Sequence, residues 1–258
     1  MPRFAANLNW LFTDLPMLDR FDAASQAGFE AVEYMFPFDY DINDLVEKLR
    51  SLNLIQVLFN MPPGDWEAGD RGLGCLPDRV DEFRASVQTA IDAANALNCP
   101  TVNCLSGIPA SDIDPALMEQ TFVENLRYAT AEFAKHDVHL VIEAINTRDI
   151  PGFYLNTSAQ AFDIIEKVGS DNLSLQYDIY HMQVMEGDLA NTLAANLHRI
   201  GHLQLADNPG RHEPGTGEIN YPFLFRHIDA IGYEGWIGCE YKPIEDTAAG
   251  LGWIKEMN

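Results

Sequence analysis

Eight times along this chain a short run of β-prone residues gives way to a longer amphipathic run, and no feature constrains the fold more. Strands are expected at residues 3–8, 31–36, 56–60, 101–105, 140–145, 173–178, 202–206 and 236–241. Helical periodicity occupies 18–27, 42–52, 81–97, 117–135, 159–168, 189–199, 222–231 and 248–257. Strands alternating with helices argue for crossover connections, so the pattern predicts an α/β architecture with a parallel sheet. Eight units in 258 residues, with no break in composition, fit a closed (β/α)8 barrel better than an open doubly wound sheet. The whole chain, 1–258, is then expected to be one domain. Helix starts are expected at Asn43 and Asp44, at Thr157 or Ser158, and at Thr247.

Connection lengths point the same way. Helix-to-strand links are short and plain, as in NALNCP, VGSDN and IGYEG. Three strand-to-helix links are long and rich in Gly, Pro and charged residues: 61–80, 146–157 and 207–221. Loops of that length in a compact domain are usually functional or disordered. In a barrel all three would gather at the C-terminal face, where barrel enzymes keep their active sites.

Charge narrows the function. The chain carries 16 basic against 39 acidic side chains, a formal charge of −23, and no basic run. Nucleic acid and anionic membrane surfaces are therefore excluded as expected partners. No apolar stretch approaches the ~20 residues of a membrane span, and the start shows no apolar secretory segment, so a cytoplasmic protein is expected. Cys75, Cys99, Cys104 and Cys239 form no CxxC pair and suit reduced thiols. Absent too are GxGxxG after a strand, GxxxxGK[ST], HExxH and GxSxG.

Four polar side chains interrupt strands that ought to be apolar: Glu143 in LVIEAI, Asp178 in LSLQYD, Gln204 in HLQLAD and Glu240 in WIGCEY. Each lies at or near the C-terminal end of its strand, and strands five to eight are neighbours in a barrel. Three carboxylates facing one another repel unless a cation lies between them. A hard divalent ion suits three carboxylates and one amide oxygen. The competing reading gives each carboxylate its own basic partner, from Arg148, Arg211 or Lys242, with Glu240–Lys242 the pair it favours. His181, expected in the turn after strand six, either touches a metal-bound substrate or is a surface-loop histidine. His202 reads as a core histidine. In the loop after strand seven, Arg211 is the best cation for a substrate carboxylate, against the alternative of a solvated arginine. Asp207, Lys242 and Asn60 complete the expected substrate contacts. Asn7 and Glu33 are placed around the other half of the pocket, with Trp10, Phe36 and Trp66 as its walls.

The segments RFAANLNWLF, GFEAVEYMFPFDYD, PPGDWEAGDRGL, VENLRYA, QYDIYHMQ, HLQLADNPGRHEPGTGEINY and GWIGCEYKP span nearly the whole chain. Through them the sequence resembles the hydroxypyruvate isomerase family, within the wider group of xylose-isomerase-like TIM barrels. The resemblance implies an eightfold barrel with a divalent metal, Mg2+ or Mn2+, at its C-terminal mouth. It implies a proton-transfer pair at Glu143 and Glu240 and metal ligands at Glu143, Asp178, Gln204 and Glu240. Related keto-sugar epimerases carry histidine where Gln204 stands. The implied reaction interconverts hydroxypyruvate and tartronate semialdehyde through an enediolate, a step of carbohydrate and glyoxylate metabolism, with a small hydroxy-oxo acid as the only expected partner besides a second copy of the chain in a homodimer or larger homo-oligomer. Close relatives isomerise 2-oxo-tetronates, and a ketose 3-epimerase is the nearest competitor. Hydride shift stays open beside proton transfer.

Overall fold

The structure, a computed structural model, describes residues 2–256. Eight parallel strands close into a barrel in sequence order: β1 (Arg3–Asn7), β2 (Ala31–Glu33), β3 (Ile55–Asn60), β4 (Thr101–Cys104), β5 (His139–Glu143), β6 (Leu173–Asp178), β7 (Ile200–Leu205) and β8 (Trp236–Cys239). Closure is made by β8 on β1, with Arg3 opposite Trp236 and Ala6 opposite Cys239. Around it run α1 (Met17–Gln26), α2 (Ile42–Leu52), α3 (Val80–Leu97), α4 (Pro115–Phe133), α5 (Ser158–Val168), α6 (Ile179–Met185), α7 (Leu189–Asn196), α8 (Tyr221–Ala230), α9 (Thr247–Gly250) and α10 (Gly252–Glu256). Among the described residues, no helix is long and apolar enough to cross a membrane.

Every expected strand and helix is found, with differences at the ends. Strands β2, β5 and β8 stop at Glu33, Glu143 and Cys239, short of the expected 36, 145 and 241. Their last apolar residues belong to loops that turn over the barrel mouth. The seven-residue α6 was not expected. It follows β6 directly because Asp178 caps it, Oδ1 accepting from the backbone N–H of Tyr180 (2.7 Å) and His181 (3.4 Å). Asp41, rather than Asn43 or Asp44, caps α2, and Thr157 caps α5. The last helical segment is split into α9 and α10 at Gly250–Leu251–Gly252, and its expected end, Met257, lies outside the described residues. Asp246 caps α9, while the Thr247 hydroxyl accepts from the Phe12 N–H at 2.7 Å.

Most of the apolar core fills the shell between strands and helices, with Phe21, Phe83, Phe122 and Phe133 fully enclosed. A second, small cluster of Ala5, Ala31, Val57, Leu58 and Val141 lies lower in the barrel. Above it the interior turns polar. Strand side chains alternate in direction, and each of β1 to β7 has a buried polar residue at or next to its C-terminal end: Asn7, Glu33, Asn60, Asn103, Glu143, Gln176 with Asp178, and Gln204. Glu240 follows β8. Barrel interiors are ordinarily layers of branched apolar side chains, and unpaired polar groups there would be costly. Here they bond across the interior. Glu33 Oε1 accepts from Asn7 (2.9 Å) and Gln204 (2.7 Å), its Oε2 meets His202 Nε2 at 2.7 Å, and Gln176 donates to Gln204 at 2.6 Å. Gly238 leaves room for this chain, since a Cβ there would stand 2.1 Å from Glu33 Oε1.

Candidate active site

The C-terminal ends of the strands open into a cavity of about 170 Å3 whose polar lining includes Asn60, Glu143, His181 and Glu240. All three long loops reach it: Trp66 and Arg71 from the loop after β3, Ile150 and Phe153 from that after β5, and Arg211 from that after β7. Trp10, from the loop after β1, adds a further wall. A larger groove, about 680 Å3, lies at the opposite end beside Arg50, Ile55 and Asn98 and holds none of these groups.

Two carboxylates face this cavity in unlike settings. Glu143 Oε2 accepts from Asn103 Nδ2 at 3.0 Å, and Asn103 also donates to Asn60 Oδ1 at 3.1 Å. Burial, with Glu240 and Asp178 close by, holds Glu143 well above the usual carboxylate range. Glu240 is gripped by two donors, Trp10 Nε1 on Oε1 at 3.2 Å and an Arg211 nitrogen on Oε2 at 3.1 Å. Burial pushes it up to about 8, with Arg211 acting in the opposite direction. Asp178 uses Oδ1 for the α6 cap, and its Oδ2 is buried without a hydrogen-bond partner.

His181, on α6 rather than in a turn, points Nε2 at Asp178 Oδ2 (3.5 Å) and Glu143 Oε1 (3.9 Å). Its other ring nitrogen is 2.6 Å from Asn146 Nδ2. Asn146 Oδ1 already accepts the N–H groups of Arg148 and Asp149, so the amide NH2 faces the ring and Nδ1 must accept. Burial lowers the His181 pKa to about 4, leaving it neutral above that pH. The proton of this neutral ring is then on Nε2, and His181 offers the site a hydrogen-bond donor.

The remaining expected residues divide. Asn60 lines the cavity. Arg211 reaches it too, but as the partner of Glu240 and Asp149 (3.2 Å), so the expected Glu240–Lys242 pair is replaced by Glu240–Arg211. Lys242 is exposed and its side chain is not part of the cavity wall. Asp207 is not at the cavity either. Both its oxygens are taken by the backbone N–H groups of Asn208, Gly215, Gly217 and Ile219 at 2.9–3.1 Å, which builds the loop carrying Arg211. That loop holds Arg211 at a positive φ of 55°, with Lys242 N–H donating to its carbonyl at 2.8 Å. Gln204 points inward, its amide fixed between Glu33 and Gln176. Glu33 is fully buried on that network and does not line the cavity, and His202 is a core histidine bonded to it. Phe36 packs edge-on to Trp66 and lies outside. Sequence reasoning passed over Asn103, Asn146, Gln176 and Arg71. Asn103 and Gln176 were detectable by the criterion that found Glu143, a polar residue near the end of an apolar strand, whereas Asn146 lies in the loop after β5.

The donor set fits a divalent cation. Glu143, Asp178 and His181 bring potential ligand atoms within 4.8 Å of one another, and Asp178 Oδ2 is an orphaned buried anion oxygen. With His181 turning an N–H toward the others, the anionic donors of this group are Glu143 and Asp178, while Gln204 Oε1 already accepts from the Gln176 amide at 2.6 Å. A pH test follows. An unfolded glutamate titrates near 4.5 and Glu240 in the fold at about 8, so between these values the folded state retains protons that the unfolded state has released. Stability of chelator-treated protein should therefore fall as pH rises through that window. His181 works oppositely, its stabilising contribution being lost as pH falls from 6.5 toward 4. Between pH 6.5 and 8.5 the carboxylates act alone, and Tm should drop by roughly 5 °C. Thermal melts with and without excess Mg2+ check this: the ion should erase the drop, and a flat metal-free profile would refute the carboxylate setting.

The sequence profile of a family described as xylose isomerase-like TIM barrel matches residues 21–257. Over 254 residues the chain is 52% identical to a hydroxypyruvate isomerase of Escherichia coli K12, covering 98% of each. It is 46% identical to a 2-oxo-tetronate isomerase of Cupriavidus necator, covering 99% of this chain and 98% of that one. A crystal structure described as an AP endonuclease, family 2, from Brucella melitensis superposes with a TM-score of 0.97 at 44% identity, over 99% of each chain. An L-ribulose 3-epimerase structure shares the fold at 23% identity and a TM-score of 0.72, covering 99% of this chain and 86% of that one.

Proposed function

Because the chain belongs to the xylose isomerase-like TIM barrel family, we propose that it moves a proton between adjacent carbons of a small hydroxy-oxo acid, interconverting hydroxypyruvate and 2-hydroxy-3-oxopropanoate. That it is an isomerase follows from full-length likeness to enzymes of that name at 46–52% identity. The substrate and the route are our reading. One observation carries it: Glu143 and Glu240, buried carboxylates three strands apart, line one cavity of about 170 Å3. A cavity near 150 Å3 accommodates benzene, so three or four carbons with their oxygens suit this one and a hexulose is large for it.

Deprotonating the carbon beside a carbonyl creates an enediolate, and the barrier lies in stabilising that charge. Glu240, aligned by Trp10 and Arg211, takes the proton from the hydroxymethyl carbon. The hydroxyl proton passes to the former carbonyl oxygen, and Glu143, which burial keeps protonated at the outset, gives its proton to the carbon beside the carboxylate. Exchange with solvent then deprotonates Glu240 and reprotonates Glu143. His181 Nε2–H supplies a neutral donor to the oxygen that gains charge, and Trp66, Ile150 and Phe153 exclude water. A divalent ion held by Glu143, Asp178, Gln204 and Glu240 would act as a Lewis acid on the two substrate oxygens. A DNA substrate, which the Brucella structure's description would suggest, needs a basic surface that a charge of −23 does not provide.

Turnover in deuterium oxide tests the reading. Product from hydroxypyruvate should carry solvent deuterium on the carbon beside the carboxylate. Complete retention of substrate hydrogen would mean a hydride shift, and a metal-loaded enzyme that converts neutral ketoses but neither hydroxypyruvate nor a 2-oxo-tetronate would sink the acid assignment.

A further inference from the structure

Two guanidinium groups border the cavity, and they are engaged very differently. Arg211 is bound to the protein: it lies 3.1 Å from Glu240 Oε2, 3.2 Å from Asp149 Oδ2 and 4.0 Å from Asp178 Oδ2. Its plane is also packed between Trp10 and Tyr180, at 4.4 and 5.0 Å from their ring centroids. Four nearby carboxylates, Glu240, Asp178, Asp149 and Glu143, are ample countercharge for it. Among the described residues Arg71 touches no carboxylate: Asp70 beside it feels its charge, but the Asp70 carboxylate is turned to Arg79 at 2.7 Å. One nitrogen donates to the carbonyls of Trp66 (3.0 Å) and Asp70 (2.7 Å), and the guanidinium lies 3.9 Å from the Trp66 ring centroid. Its Nε and second terminal nitrogen have no acceptor among the described residues and are not buried.

We propose that Arg71 receives the substrate's carboxylate and thereby selects hydroxy-oxo acids over neutral ketoses, an inference that rests on the acid reading above. A chain at −23 repels anions at long range, so a carboxylate entering beside Glu143 and Glu240 needs a fixed cation whose charge is not already neutralised. A guanidinium with an open edge binds a carboxylate through two parallel N–H bonds. Stacking on Trp66 holds that edge in one plane.

The loop is built to keep Arg71 still. Asp70 accepts from the Asp65 N–H and from Arg79, both at 2.7 Å. On the other side Gly72 adopts φ +111°, its N–H bonds Pro63 at 3.0 Å, and a Cβ there would stand 2.3 Å from the Leu105 carbonyl oxygen. Arg71 is thus flanked by Asp70, tied to Asp65 and Arg79, and by Gly72, pressed on the segment after β4, a pre-organised position for a group that confers specificity. The proposal assigns to Arg71 the role that the sequence reading expected of Arg211.

Glycerate, which lacks a carbonyl and is not turned over, serves as the probe, with glyceramide as its neutral counterpart. Binding to Mg2+-loaded protein is followed by tryptophan fluorescence, alongside steady-state kinetics on hydroxypyruvate. Arg71→Met should weaken glycerate by about 10- to 100-fold, the range for a charge-assisted hydrogen-bonded pair. Its effect on glyceramide should be at least tenfold smaller. KM for hydroxypyruvate should rise by a like factor while kcat changes by only a few-fold. Arg71→Lys, which keeps the charge and the Trp66 contact but not the fork, should fall between Met and the native protein and guards against a variant that misfolds. Equal losses for glycerate and glyceramide, or no loss of glycerate, would overturn the proposal. A native enzyme that converts only neutral ketoses, yet loses glycerate on Arg71→Met, would overturn the acid-isomerase reading and leave the carboxylate clasp standing.

Discussion

Replacing Glu240 by glutamine is expected to lower turnover of hydroxypyruvate by about 10²–10⁴-fold, the usual contribution of a positioned general base. Glutamine preserves the volume and one acceptor oxygen between Trp10 and Arg211 but cannot take up a proton. Affinity for glycerate should change much less than turnover. The dissociation of the two effects is the point of the experiment, because a residue that merely held substrate or ion would alter both together. Near-normal turnover in Glu240→Gln would remove it from the proton-transfer pair. Loss of both activity and the folded melt would instead indict Arg211, left with one countercharge fewer in a buried position.

Asp178→Asn should produce the second large effect, on ion affinity. The two oxygens of Asp178 have separate duties: Oδ1 caps α6, and Oδ2 is buried without a hydrogen-bond partner. Asparagine is as good a cap, so the melting temperature of metal-free protein should hardly move. The charge that draws an ion is lost. Calorimetric titration with Mn2+ should show affinity reduced by more than about 100-fold, beyond what losing an outer hydrogen-bond partner costs a metal site. Unchanged affinity would show that the orphaned oxygen serves something other than a cation.

The barrel was legible because its signal is repeated: eight amphipathic helices after eight apolar strands leave few alternatives. Polar residues such as Glu143 and Glu240 were legible for a related reason, being anomalies in apolar runs. Pairing was not. Nothing in sequence spacing tells that Arg211 reaches Glu240, since the contact depends on a loop bent by the Asp207 carboxylate and a left-handed residue. Lys242 was favoured for proximity along the chain, yet near the end of a strand a residue two positions on is carried into the turn, here to the surface. His181 was misplaced because a seven-residue helix carries too little periodicity to register, and only the Asp178 cap announces it. Arg71 escaped notice because a loop arginine beside a tryptophan has no pattern to violate.

The polar chain inside the barrel has a consequence for how this molecule can come apart. Its bonds join residues distant in sequence: Glu33 holds Gln204 and His202, 171 and 169 positions away, and Asn103 holds Glu143, 40 away across the middle of the chain. A fragment ending after β4 would strand the Glu33 carboxylate without its two far partners, in a space too narrow for a side chain on Gly238. The remaining fragment would strand His202 and Gln204 in turn. The two halves of the chain thus satisfy each other's buried polar groups across the interior of the barrel.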